Sequence, residues 1–259
     1  MVSGNKSKAV RKSRTAVVTP RSTPWGTIAA VAVVLLFLAA IVGYYLVQNG
    51  ARQDRIASLA PFTPTAENPD PSRQIPGVVV ENYQGGQHVD PTKQVAYTKS
   101  PPFGGSHDVS WAACNGVVYP TPVRSENLVH SLEHGAVWIA YNPDQVTGDA
   151  LAALTSKVDG QPYTVMSPYP GLDQPLSLQS WGHQLKLTDP GDVRIDQFIT
   201  ALRVNQNTHP EAGASCNEIG PGGFSQADPP PFAPAPAPGT PGAEPETTPG
   251  AGVAPDGGS

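Results

Sequence analysis

The stretch from Trp25 to Val47, which lacks any charged side chain, constrains this chain more than any other feature. At about 1.5 Å per residue, a helix of that length spans roughly 34 Å, enough to cross a hydrocarbon core of about 30 Å. Trp25, Tyr44 and Tyr45 stand near its ends, where amphipathic rings favour the membrane interface. The segment before it, 1–24, holds Lys6, Lys8, Arg11, Lys12, Arg14 and Arg21 and no acid, a charge of +6. The whole chain carries −5, so the remainder carries −11. A basic flank stays in the cytoplasm. The expectation is a single-pass signal-anchor, with the N-terminus cytoplasmic and everything after Val47 extracytoplasmic. A cleaved secretory signal has a shorter apolar region, about 7–15 residues, and a small-residue cleavage site that is missing here. A buried core helix leaves the charge asymmetry unexplained.

The acidic balance of the remainder excludes a generally basic nucleic-acid binder, and no nucleic-acid partner is expected. Proline (30) and glycine (26) are in excess, but unevenly placed. Residues 221–259 hold 11 Pro and 8 Gly with no Lys or Arg, a composition that buries too little apolar surface to offset its ordering entropy. A disordered, extended tail is expected there. It is either a plain solvated tail or one engaging a cell-wall or envelope partner, with Thr240, Thr247 and Thr248 as glycosylation acceptors. Pro61, Pro64, Pro69, Pro71 and Pro76 mark a linker over 48–76. The chain therefore divides into a basic arm (1–24), a transmembrane helix (25–47), a linker (48–76), a globular domain (77–220) and the tail (221–259).

The globular domain reads as α+β with a mixed sheet. GVVVENY (77–83) and QVAYTKS (94–100) have strand character, and SPPFGGSHD (100–108) is forced into a loop. Ser125 opens a short helix that Gly135 stops in a left-handed conformation. AVWIAY (136–141) is a buried strand, and Asn142-Pro143 opens a helix to about Val158. PYTVMSPY and LSLQSWGHQLKL supply two more strands, and Asp192 to Asn205 a final amphipathic helix. The order from 126 onward is αβαββα, with parallel strands joined across 136–168. It is similar in architecture to thioredoxin-like folds, without their C-x-x-C.

Cys114 and Cys216 are the only cysteines, both on the extracytoplasmic side, where a disulfide forms and persists. A buried thiol pair and a pair of soft metal ligands are the other readings. Chemistry is concentrated in His130-Ser131-Leu132-Glu133-His134, an H-x-x-E-H pattern. On a helix His130 and His134 stand within about 40° of each other, which suits joint coordination of one divalent ion. Glu133 shares that side as a ligand, an orienting partner or a catalytic base. His107, in the glycine-rich loop before Asp108, offers a third nitrogen, and Asp108 or Glu133 an orienting group. His183 is a weaker fourth candidate; His88 and His209 lie in polar segments and read as solvated. Ser106-His107-Asp108 makes a poor nucleophilic triad, because triad members come from separate segments. Trp111, Trp138 and Trp181 read as core or rim aromatics. The bland alternative for the motif is a packed His130 and an ordinary helix-end pair of Glu133 and His134.

PPFGGSHD, the W-x-x-x-x-G-x-x-Y spacing and VHSLEHGAVWIAY resemble a bacterial family, domain of unknown function 3105, whose members are often membrane-anchored. The resemblance covers roughly 77–205 and rests on Pro101, Pro102, Gly105, His107, Trp111, Gly116, Tyr119, His130, Glu133, His134, Gly135 and Tyr141. One departure is Gly-Gly-Ser-His where the family pattern has Ser-Gly-x-His. The resemblance implies that the three histidines and Glu133 act as one unit, and carries no established reaction. Three functions are left: a tethered domain holding zinc or copper through His107, His130 and His134, a metal-dependent hydrolase with Glu133 as base, or a non-enzymatic envelope module.

Overall fold

The computed structural model describes Met1, residues 24–219 and residues 223–247. The basic arm, apart from Met1 and Pro24, lies outside the described residues, as does the tail beyond Thr247. Two compact units divide at Asp54 and Arg55. The first contains most of helix α1, Trp25–Leu59, which buries no residue and is long and apolar enough to cross a membrane by length and composition. The helix continues past Val47 to Leu59, because the sequence from Gln48 to Leu59 contains no proline to stop it.

The second unit is α+β. In chain order it holds β1 (Val79–Val80), β2 (His88–Val89), β3 (Val95–Ala96), β4 (His107–Asp108), β5 (Asn115–Val118), α2 (Ser125–Glu133), β6 (Val137–Tyr141) and α3 (Gly148–Val158). β7 (Thr164–Pro168), β8 (Leu176–Ser180), β9 (His183–Leu187), α4 (Arg194–Leu202) and β10 (Glu244–Pro245) complete it. Six strands form one mixed sheet in the order β1-β9-β8-β6-β7-β5. β5, β7 and β6 are mutually parallel across their pairings, and β8, β9 and β1 continue antiparallel.

β6 is fully buried on both faces, as its unbroken apolar run requires. Period-two alternation splits its side chains. Val137, Ile139 and Tyr141 join α3 and α4 through Leu154, Val158, Ile195, Phe198 and Leu202. Trp138 and Ala140 join α2 through Leu128, Val129 and Leu132. The sheet thus presses α2 between a hydrophobic layer and the irregular first half of the domain. Every residue of α2 is buried, polar ones included.

Three local expectations change. LSLQSWGHQLKL is a hairpin, β8 and β9, turned at Trp181-Gly182, where Gly182 adopts φ +70°. The helix expected from Asn142 begins only at Gly148, because the Asn142 side chain accepts from the Asp144 N–H at 2.9 Å and holds a turn. Residues 60–76, expected as linker, carry two short 3-10 turns against α4, with Ser72 and Ile75 buried.

The tail over 223–247 forms no helix and only the short strand β10, in keeping with a segment lacking a fold of its own. It nevertheless touches the domain at defined points. Phe224 is buried, Glu244 pairs with Val95 in parallel register, and Glu246 accepts from the Thr98 N–H at 2.8 Å. Ser106 Oγ donates to the Pro245 carbonyl at 3.2 Å, so this segment lies against the loop that carries His107.

Candidate metal centre

His107 is delivered by a buried loop. A Cβ on Gly104 would collide with the Tyr83 ring, and Gly105 adopts φ +87°, so both positions need glycine. The loop ends in β4, which pairs in parallel with β2 so that His88 stands opposite His107. A second Gly-Gly pair, Gly85-Gly86, precedes His88. A Cβ on Gly85 would come within 2.6 Å of Glu133 Oε1, and the Gly86 N–H donates to that oxygen at 2.6 Å.

α2 supplies the opposite wall. Its apolar side faces the sheet, and the turn-to-turn spacing puts His130, Glu133 and His134 on the side facing β4. Gly135 ends the helix with φ +91°, as expected, and His209 packs where its Cβ would stand.

Each histidine is held the same way. The Nδ1 atoms of His107, His130 and His134 meet the carbonyl oxygens of Gly105 (2.7 Å), Asp108 (2.6 Å) and Ser215 (2.7 Å). A carbonyl only accepts, so Nδ1 carries the proton and donates, and the neutral ring keeps its lone pair on Nε2. This is how metal-binding imidazoles are usually fixed, one nitrogen held by the protein and the other presented. The Nε2 atoms of His107 and His134 meet acceptors rather than donors. His107 Nε2 lies 2.7 Å from Glu133 Oε2, and both atoms are buried with no hydrogen-bond donor to satisfy them. His88 Nε2 lies 4.0 Å from the same oxygen. Two acceptors at such distance need a positive charge, on the ring or between them.

One ligand atom each from His88, His107, His130 and Glu133 lies within 4.8 Å of the others. A second set of the same compactness is His130, His134 and Glu211. Ring centroids of His88, His107 and His130 are 4.8–4.9 Å apart, and Trp181 and Trp111 close the sides against His107 and His130.

Burial, reinforced by the neighbouring His107 and His134, lowers His130 to about 3. Burial likewise lowers His134, against the pull of the Ser215 carbonyl and Glu211, and lowers His209. For Glu133 burial acts upward, but the His107 contact and the Gly86 N–H outweigh it and hold the carboxyl below its ordinary range. The site thus gathers imidazoles around one carboxylate, a donor set suited to a divalent transition ion.

The structure therefore brings His107, His130 and Glu133 together, with His134 adjacent in the second set. The orienting group expected from Asp108 is its carbonyl; its carboxylate instead pairs with Arg124. His183 is elsewhere, bonded to the Trp181 carbonyl and paired with Asp70 at 3.3 Å. His88 is exposed, as expected, yet stands in the cluster, whereas His209 is not solvated but buried with Nδ1 on the Glu133 carbonyl. A signal for His88 was present in the repeated G-G-x-H of Gly85 to His88 and Gly104 to His107. Cys114 and Cys216 form a disulfide, and the Cys114 N–H donates to the Cys216 carbonyl at 2.9 Å, next to the Ser215 anchor of His134.

A family model described as "Protein of unknown function (DUF3105)" matches residues 88–218. The chain belongs to this family. The DUF3105 stretch begins at His88 and takes in both ligand sets and both cysteines. Comparison with curated proteins and with solved structures gave no match.

Proposed function

We propose that this DUF3105 protein is a membrane-anchored, extracytoplasmic domain that binds one divalent transition metal, zinc or copper, through His88, His107, His130 and Glu133. One observation carries the reading: buried imidazoles whose Nδ1 atoms are taken by backbone carbonyls gather around a buried carboxylate. Ligand atoms around a tetrahedral zinc stand about 3.3 Å apart. The 2.7 Å and 4.0 Å separations at Glu133 bracket that value, and no pair in the set exceeds 4.8 Å, so loading needs side-chain shifts on the order of 1–1.5 Å.

Glu133 acts in this reading as a ligand rather than as the base of a hydrolase. Its side chain is 0% exposed, and both oxygens face protein groups, which leaves no room for it to hold an attacking water. Extracytoplasmic placement is supported by the +6 arm ahead of α1 and by a disulfide in the domain. The division into arm (1–24), membrane span (25–47) and domain follows from the same reading, with 60–76 joined to the domain.

The test is metal analysis of the full chain in detergent, followed by zinc titration after chelator treatment. One equivalent per chain is expected, bound at least about tenfold more weakly in His107→Ala and lost in His130→Ala. A folded wild-type chain that carries and takes up no transition metal overturns the proposal.

A further inference from the structure

One turn along α2 from the buried set lies the second group, and it repeats the same construction. His134 is fixed by Nδ1 on the Ser215 carbonyl, and its Nε2 stands 3.1 Å from Glu211 Oε2. The His130 and His134 rings are 4.7 Å apart, and the ligand atoms of His130, His134 and Glu211 all lie within 4.8 Å. Two differences separate the sets. Glu211 is 40% exposed, where Glu133 is 0% exposed. The outer set has three protein ligands, which leaves a tetrahedral ion one position for solvent or for the ligand of an incoming carrier.

His130 belongs to both sets. With its Nδ1 proton committed to the Asp108 carbonyl, it has a single lone pair, on Nε2, and can serve one ion at a time. We propose that His130, His134 and Glu211 form an outer metal site, mutually exclusive with the inner one, through which a divalent transition ion is loaded and released. The proposal rests on the metal-binding reading of the inner set. In the transfer the ion keeps His130, gives up His134, Glu211 and solvent, and gains His88, His107 and Glu133. One carboxylate replaces another, so the ion meets a single negatively charged ligand at both ends.

The test uses the full chain in detergent with Co2+ as the probe, following visible absorption during loading and during release to excess EDTA. Wild type is expected to saturate at one ion per chain. Glu211→Gln and His134→Gln should slow both loading and release by about tenfold or more while leaving equilibrium affinity within about twofold. The double variant His88→Ala/His107→Ala should retain one weaker cobalt, lost when His134→Ala is added. Two ions per wild-type chain at saturation overturn the mutual exclusivity, and Glu211→Gln rates equal to wild type overturn the outer site, so either result overturns the proposal. A wild-type chain that takes up no cobalt instead removes the inner-site reading, and this proposal with it. Glu211 is half-exposed, so its variant tests the idea even where the double variant does not fold.

Discussion

His88 and His107 stand opposite each other in a short parallel ladder, each at the end of a Gly-Gly-x-His sequence. The two glycine pairs do different work. Gly104 lets the Tyr83 ring close over the loop, and Gly85 lets the backbone approach the Glu133 carboxylate. Together they bring two imidazoles and one carboxylate to a common point.

His88→Ala should weaken zinc binding by about 10- to 100-fold while leaving the fold intact, since its side chain is 37% exposed and carries no core packing. Competition with a chromophoric chelator measures the affinity, and circular dichroism the fold. Unchanged affinity would remove His88 from the ligand set.

Glu133→Gln separates a ligand from a structural ion pair. The amide keeps the Gly86 hydrogen bond through its own oxygen and loses only the charge. If Glu133 is there for metal, the metal-free protein should be about as stable as wild type and the zinc complex markedly less so. If it is there to pair with a protonated His107, the metal-free protein should lose about 3 kcal/mol or more, because the partner charge is left buried. Denaturant melts with and without chelator distinguish the two.

Acid should destabilise the metal-free protein in two steps. His130, near 3 in the folded protein and about 6.5 unfolded, binds its proton first in the unfolded chain, so stability falls as pH drops from about 6.5 toward 3. His134 and His209, also lowered by burial, act in the same direction. Asp70 acts later. Burial opposes its ionisation, but hydrogen bonds from His183 and Ser72 hold it at about 2. Its contribution is intact above about 3.8 and disappears as pH falls through 2. Melting temperatures in the presence of chelator should therefore drop between pH 7 and 4; a flat profile there would contradict buried neutral histidines.

Replacing both cysteines by alanine opens a loop of 102 residues in sequence separation and should cost about 4–5 kcal/mol in the chain-entropy model. Loss of the Cys216 tether should also loosen the Ser215 carbonyl that fixes His134, so cobalt loading should change along with stability. A reporter enzyme fused downstream of the domain and active only outside the cytoplasm checks the membrane orientation; activity confined to the cytoplasm overturns it.

What the sequence disclosed was local. The uncharged run of α1, the Gly135 stop, the buried β6 and the grouping of His130, Glu133 and His134 all follow from patterns within a short window of sequence. His88 escaped because its role depends on pairing with His107, across an intervening strand and loop, in strands too short to show a period of their own. Pro71, Ser72 and Ile75 escaped for a related reason. Prolines forbid a long helix or strand there, but they do not prevent a short turn from packing on α4. The split of LSLQSWGHQLKL turns on one glycine whose φ of +70° is set by the close approach of the Glu81 carbonyl, a tertiary contact.

The pairing of Glu244 with Val95 has a practical side. Thr247 Oγ1 lies 3.6 Å from the position of a Cβ on Gly105, whose carbonyl holds His107. From Thr247 to Ser259 the chain can reach at most about 40 Å. A polyhistidine purification handle joined at Ser259 would bring a surplus of imidazoles within range of the ion the domain is meant to hold. Metal stoichiometry measured on such material would count the handle together with the protein, so the handle must be cleaved, or built without histidine.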